Sequence, residues 1–248
     1  MREARGAAQS PAPSQARRNS SRGVELCGVE FVPDASGVLF LVAERLLIVA
    51  DLHLEKGSSF ARQKVFLPPY DTAATLARLA PAVAKYAPRR VVALGDSFDD
   101  VGGSDRLGEG DRQALRALQA GRDWIWIAGN HDPLPPRDCG GEALAELRVG
   151  PLVLRHEPAP ASDLEPEGEI AGHLHPVAQV LGETGSVRRR CFVADEVRCI
   201  MPAFGAYTGG LNVRDAAFAR VFGTRRVTAF VLGSDRVHAV PERRCLPD

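Results

Sequence analysis

No apolar run in this sequence approaches the roughly 20 residues that a membrane helix needs, so a membrane-spanning protein is not expected. Cysteines are few and scattered: Cys27, Cys139, Cys191, Cys199 and Cys245 are odd in number and never spaced CxxC. That pattern fits neither a disulfide framework nor a zinc ribbon, and it makes a reducing cytoplasm the expected setting. Neither sign of charge is in excess, since Lys plus Arg and Asp plus Glu both total 31. No protein-wide attraction to a polyanion follows, and any nucleic-acid binding must come from local patches. The first 23 residues lack the continuous apolar stretch of a secretory signal, although Arg2, Arg5, Arg17, Arg18 and Arg22 stand there among Ser, Ala, Pro and Gln. Residues 1–23 read as a disordered basic tail, with a nucleic-acid arm, a solvated appendage and an over-extended start all open as its meaning.

What remains, residues 24–248, reads as one large domain with ample chain to bury a core. Its composition is ordinary for a globular chain, so class must come from pattern. Residues 24–31 and 38–42 alternate loosely around a turn and predict a hairpin. Residues 46–50 form a short apolar run ending in Asp51, Leu52 and His53. Four more runs end the same way: residues 91–94 in Gly95 and Asp96, 124–128 in Gly129, Asn130 and His131, 152–154 in Arg155 and His156, and 170–171 in Gly172, His173, Leu174 and His175. Between them a helix is expected from Asp71 as N-cap, with Leu76, Leu79 and Val83 on one face and Pro81 as a kink or break. A second helix is expected over residues 109–120, with Ala114, Leu115 and Leu118 inward and Gly121 as its stop. Beyond His175 the pattern shifts to paired strands over residues 190–201, 227–232 and 237–240. Strand–helix alternation followed by a β-rich part predicts a mixed α/β chain.

Five of the six histidines, His53, His131, His156, His173 and His175, stand just after predicted strands, with only His238 elsewhere. Imidazole and carboxylate are the usual ligands of divalent transition metals, and strand ends at one sheet edge can bring them together. Each motif alone is weak: Asp-x-His arises by chance, Gly-Asp serves as a turn, and His-x-His occurs without a metal. Their order is specific. Asp-x-His at Asp51 and His53, Gly-Asp-x-x-Asp at Gly95, Asp96 and Asp99, Gly-Asn-His-Asp at residues 129–132, a lone His156, and Gly-His-x-His ending at His175 together resemble the binuclear metallophosphoesterase superfamily, the calcineurin-like phosphoesterases.

That resemblance implies a four-layer αββα sandwich with two mixed β-sheets, and two divalent metal ions. It implies Asp51, His53, Asp96 and His175 as ligands of the first ion and Asp96, Asn130, His156 and His173 as ligands of the second, with Asp96 bridging. It makes His131 a catalytic histidine beside the scissile phosphate rather than a ligand. No cysteine belongs to the set, so Mn²⁺, Fe and Zn²⁺ all suit it, and the open, oxygen-containing donor set favours Mn²⁺. One departure stands out: the fourth motif usually reads Gly-His, whereas Arg155 precedes His156 here. Arg155 is open to two readings, a phosphate clamp and a strand-end surface charge.

Residues 51–70, 95–100 and 202–218 look like the bacterial ligase-associated DNA damage response endonuclease branch of that superfamily, a likeness covering roughly residues 24–240. It implies a metal-dependent phosphodiesterase or nuclease acting on DNA in repair, associated with a DNA ligase and a helicase. Relatives in that branch often have His where this chain has Asp99, which leaves any branch-specific role there open. Lys56, Arg62 and Lys64, in an expected surface loop abutting Asp51 and His53, read as a nucleic-acid path, with simple solvation as the alternative. Residues 205–210 lack a P-loop lysine and read as a tight backbone turn. Tyr207 reads as a core or interfacial ring, and residues 188–190 as a solvated hairpin tip. A small-molecule or cyclic nucleotide phosphodiesterase is the second reading and a metal-free protein-binding scaffold the third, which the complete set of ligand types argues against.

Overall fold

The computed structural model describes residues 24–134, 136–163, 167–182 and 185–248; the basic tail expected over residues 1–23 lies outside them. The first sheet has seven strands in chain order, β1 (Val24–Leu26), β2 (Val29–Pro33), β3 (Leu39–Leu41), β4 (Leu46–Val49), β5 (Arg90–Leu94), β6 (Asp123–Ile127) and β7 (Glu142–Leu144). Pairing is antiparallel up to β4 and parallel from β4 to β7. The second sheet is made of β8 (Leu147–Val149), β9 (Leu152–Arg155), β10 (Gly168–Ala171), β11 (Val177–Gly182), β12 (Gly185–Ala194), β13 (Arg198–Ile200), β14 (Thr228–Leu232) and β15 (Val237–Pro241). Its order is β15-β14-β12-β13-β10-β9-β8, with β11 paired to β12. Five helices accompany the sheets among the described residues: α1 (Lys56–Arg62), α2 (Asp71–Tyr86), α3 (Gly103–Arg106), α4 (Glu109–Gln119) and α5 (Ala216–Phe222).

Period-two alternation sorts these strands into layers. Leu46, Ile48, Val92, Leu94, Ile125 and Ile127 meet Leu152, Leu154, Ile170 and Phe192 in a core between the two sheets. Their strand neighbours Leu47, Val49, Val91, Ala93, Trp124 and Trp126 pack instead with Leu76, Leu79 and Val83 of α2 and Leu115 and Leu118 of α4. On the far side, Cys191, Val193 and Ile200 pack with Phe218, Val221 and Phe222 of α5. Helix, sheet, sheet, helix is the αββα sandwich, with two mixed sheets.

Several local expectations need correction. Residues 24–31 are two strands, because Cys27 and Gly28 both adopt positive φ, 49° and 79°, and turn the chain in two residues. Helix α2 is capped by Tyr70 rather than Asp71 and runs through Pro81 without a break, because Pro81 lies on its exposed face, where water can serve the carbonyl left without a partner. Ala114 is exposed, lying at the margin of the Leu115 and Leu118 stripe of α4. Residues 56–62, expected as loop, are helical. Helix α5 interrupts the expected β region, with the Asp215 carboxylate accepting the Ala217 N–H at 2.8 Å as an N-cap.

The layers matter because of where strands end. β4, β5 and β6 run parallel, as do β9 and β10, so the residues after each emerge at common edges. The chain after β13 crosses from the second sheet and lies along the end of β4: Phe204 N–H donates to Ala50 O at 2.9 Å and Gly205 N–H to Asp51 O at 3.0 Å. Arg78 and Arg190 clasp this crossing segment through the Phe204 carbonyl, and Arg190 adds Gly205 O and Thr208 Oγ1 at 2.8 and 2.9 Å. Arg190 is thus no part of a solvated hairpin tip, and the turn expected over residues 205–210 is confined to residues 205–207.

Within the second sheet, Glu169 of β10 stands opposite Arg198 of β13, with Arg198 Nε 2.6 Å from a Glu169 oxygen and both residues buried. Removing one member of such a pair strands the other charge, whereas removing both does not. Arg198→Met is expected to lower stability by about 3–5 kcal/mol, and Arg198→Met with Glu169→Gln to recover a large part of it. Urea melts of the single and double variants measure this; equal losses would show that the pair does not act as a unit.

Candidate metal centre

Two neighbouring loops form the floor of the site. After β4 the N–H groups of Asp51, His53 and Leu54 donate to the carbonyls of Gly95, Asp96 and Ser97 at 3.2, 2.9 and 2.9 Å, and Asp99 N–H returns to Leu54 O at 3.0 Å. The Asp-x-His and Gly-Asp motifs are therefore joined backbone to backbone. Asp51, His53, Asp96, His173 and His175 all have positive φ, between 43° and 68°. Each left-handed residue of this kind costs roughly 1–2 kcal/mol, a strain that persists only where surrounding contacts impose it.

The approach is close enough to require glycine. A methyl at Gly95 would stand 2.3 Å from the His156 ring, and one at Gly129 would stand 2.2 Å from Asp96 N and Oδ1. Those two glycines let β5 and β6 deliver their following residues against β9 and against each other.

All eight residues named from the sequence meet here. Asp51 Oδ1 lies 3.1 Å from His175 Nε2 and 3.7 Å from His156 Nδ1, and its carboxylate accepts His173 N–H at 3.2 Å. Asp96 Oδ2 lies between His53 Nε2 at 3.8 Å and His156 Nε2 at 3.3 Å, while its other oxygen accepts His131 N–H at 2.9 Å. Asn130 Oδ1 lies 2.9 Å from His156 Nε2 and 3.0 Å from His173 Nδ1. Asp51, His53 and His175 present ligand atoms within 4.8 Å of one another, as do Asp51, Asp96 and His156. Asp51 belongs to both groups, while Asp96 Oδ2 lies between His156 and, at longer range, His53.

The outer contacts decide which ring nitrogens face inward. His156 Nδ1 donates to the Leu94 carbonyl at 3.2 Å, which turns Nε2 towards Asp96 and Asn130. His53 Nδ1 pairs with the Asp99 carboxylate at 3.0 Å, and its buried Nε2 has no hydrogen-bond partner. An orphaned inward lone pair, two buried carboxylates and imidazoles crowding one amide oxygen form a donor set that fits divalent cations.

Electrostatics follow from the crowding. Burial works against the Asp96 anion, but the His156 hydrogen bond and charge and the His131 N–H outweigh it and hold the carboxyl at about 2. His156 is pushed up to about 9, its burial overcome by Asp96 and Asp51. Burial and the neighbouring His156 charge push His173 down. Asp99, though buried, is held well below the usual carboxylate range by His53 and Lys56. Asp132, which accepts the Phe98 N–H at 3.0 Å, is pushed up to about 7 by burial, with the Asp96 charge adding to it.

His131 sits at the exposed edge of the donors and, with His53 and Asp99, presents ligand atoms within 4.8 Å of one another. It is exposed, its ring meets His53 edge to face at 5.1 Å between centroids, and its Nδ1 pairs with the Asp99 carbonyl at 2.9 Å. Sequence reasoning missed the Asp99 carboxylate as the partner of both His53 and Lys56, the latter at 2.9 Å. Only the fold puts α1 beside it. Arg155 is not aimed at the site: it lies 3.2 Å from Glu146 and 3.5 Å from Glu169, which settles it as a strand-end charge.

No protein-family model matches the chain, and no curated protein matches it by sequence. Among solved structures, the nuclease MPE of Pseudomonas putida matches with a TM-score of 0.66 and 26% identity, over 88% of this chain and 99% of that one. YfcE, a phosphoesterase from E. coli, matches at TM-score 0.41 and 12% identity over 79% of this chain and 97% of that one, too remote to bear on the site. The fold is thus metallophosphoesterase-like, and together with the donor set above it supports a phosphoesterase hydrolase.

Gly95→Ala places a methyl 2.3 Å from the His156 ring at a φ of 73°. It is expected to weaken Mn²⁺ binding about 10- to 100-fold while the far-ultraviolet dichroism stays native. Calorimetric titration with Mn²⁺ checks this; unchanged affinity would remove His156 from the metal-binding set.

Proposed function

We propose that this protein is a metal-dependent phosphodiesterase that cuts nucleic acid, DNA before RNA, in DNA repair. The observation that carries this reading is the convergence of Asp51, His53, Asp96, Asn130, His156, His173 and His175 on one site beside an open groove. Asp51, His53, Asp96 and His175 would hold one ion and Asp96, Asn130, His156 and His173 the other, with Mn²⁺ favoured. When bound, two such ions neutralise charge on phosphoryl oxygens and make water nucleophilic at neutral pH.

The chain's own residues do the rest. With Nδ1 held by the Asp99 carbonyl, His131 would turn Nε2 to the reacting group, either to stabilise the transition state or to give a proton to the leaving oxygen as the oxygen of water joins phosphorus. Asp99 fixes the tautomer of His53 and so keeps its Nε2 inward.

Two features favour a polymer. The groove, about 890 Å³, is lined by Lys56, Phe60, Arg62, Gln63 and Val101 and reaches His131. Exposed Phe66 and Tyr70 follow Arg62 and Lys64 in the chain, aromatic and basic side chains of the kinds suited to bases and phosphates. A monoester carries more negative charge and calls for added cations, and Arg155 is committed to two glutamates instead. The DNA ligase and helicase association implied by the branch resemblance, and the cytoplasmic setting read from the scattered cysteines, belong to this same reading.

Mn²⁺-loaded protein is expected to cleave bis(p-nitrophenyl) phosphate faster than p-nitrophenyl phosphate. Its cleavage of a DNA oligonucleotide should fall with rising salt more steeply than its cleavage of the small diester. Equal salt dependence would turn the reading to a small-molecule phosphodiesterase. His131→Ala is expected to keep Mn²⁺ binding and lose about 10²- to 10⁴-fold in kcat. Loss of metal in step with activity would make His131 a ligand.

A further inference from the structure

We infer that Lys56 is the specificity-determining residue of this site: it binds the phosphate next to the reacting one and so sets the preference for a nucleic-acid strand over a small diester. The inference rests on the nuclease reading above and assigns that reading its main strand contact.

Lys56 is held in place before any ligand arrives. Its ammonium lies 2.9 Å from Asp99 Oδ1 and 5.2 Å from the centroid of the Phe60 ring, and its side chain is only 18% exposed. One donor goes to Asp99, leaving two for a ligand. Helix α1 is fixed from behind. Glu55 accepts from Thr72 Oγ1 at 3.1 Å and Ser58 Oγ at 2.7 Å, Asp71 accepts Gly57 N–H at 3.2 Å, and Arg106 joins Ser58 at 2.8 Å to Asp100 at 2.9 Å. A pre-placed cation loses little freedom on binding, so its contact is realised more fully than that of a free side chain.

Position then says which phosphate it meets. The Asp99 carboxylate stands between Lys56 and His53 Nδ1, while His53 Nε2 faces the donor cluster. The ammonium is therefore on the far side of the His53 ring from the reacting group. It opens into the groove that also holds His131, in line with a strand leaving the centre. Arg62, by contrast, is 66% exposed and only 3.9 Å from Asp100, a long and solvated contact. Its contribution is a screened, non-specific attraction.

The test compares wild type, Lys56→Ala, Lys56→Arg and Arg62→Ala as Mn²⁺-loaded full-length proteins on a DNA oligonucleotide and on bis(p-nitrophenyl) phosphate. Lys56→Ala is expected to raise KM for the oligonucleotide about tenfold or more, with kcat changed far less. Its kcat/KM should fall at least about tenfold further on the oligonucleotide than on the small diester. Lys56→Arg should restore part of that ratio, and Arg62→Ala should mainly flatten the salt dependence. Calorimetric Mn²⁺ affinity of Lys56→Ala should match wild type, which a collapse of the Asp99 and His53 arrangement would not allow. Equal losses on both substrates, no loss on either, or loss of Mn²⁺ affinity would each overturn the inference. A wild-type protein that cleaves the small diester but not the oligonucleotide would instead overturn the nuclease reading beneath it.

Discussion

The centre depends on how closely separate stretches of backbone approach one another at the strand ends. Three loops, after β4, β5 and β6, share hydrogen bonds and pack with no room for a Cβ at Gly95 or Gly129. The crossing segment from β13 presses in the same way: a methyl at Gly205 would stand 2.3 Å from Leu52 O, between Asp51 and His53 in the chain. Side chains of ordinary length can then meet at one point, because their backbones already do. The left-handed residues at the site are the conformational counterpart of that crowding.

Crowded donors are costly unless something stands among them. Asp51 and Asp96 are almost wholly buried, and the His53 and His156 rings turn Nε2 inward beside them. A buried polar cluster of this kind is stable only when every member is satisfied. Here the outer members are satisfied, His156 by the Leu94 carbonyl and His53 by Asp99, while the inner atoms are left facing one another. Among the inward ligand atoms, His53 Nε2 is left without a hydrogen-bond partner.

The legible parts of the sequence were those written in simple periods. Strands β4, β5 and β6 alternate between two cores, and each run ends where the polar motif begins, so both strands and donors could be read. The order of the motifs carried the sandwich and the donor set together. What escaped had no period or no room for one. Helix α1 contains Gly57, Ser58 and Ser59 and is held by polar contacts rather than an apolar stripe, so it looked like loop. The place of Arg190 depends on a segment folded back from beyond β13, and the ion pairs of Arg155 depend on Glu146 and Glu169 from neighbouring strands. Such partners are fixed by topology and leave no local mark.

The stitch between Ala50 and the chain after β13 also has a bearing on how the molecule is made. Asp51 and His53 are among the first residues of the centre to leave a ribosome, yet the segment that braces them is synthesised after every donor, past His175. Chains fold from the N-terminus as they emerge, but this contact closes a very long loop. The nascent chain can build β4, β5 and β6 early while the pocket between them stays slack. Its final shape waits until residues 203–205 have been made and have paired with the end of β4.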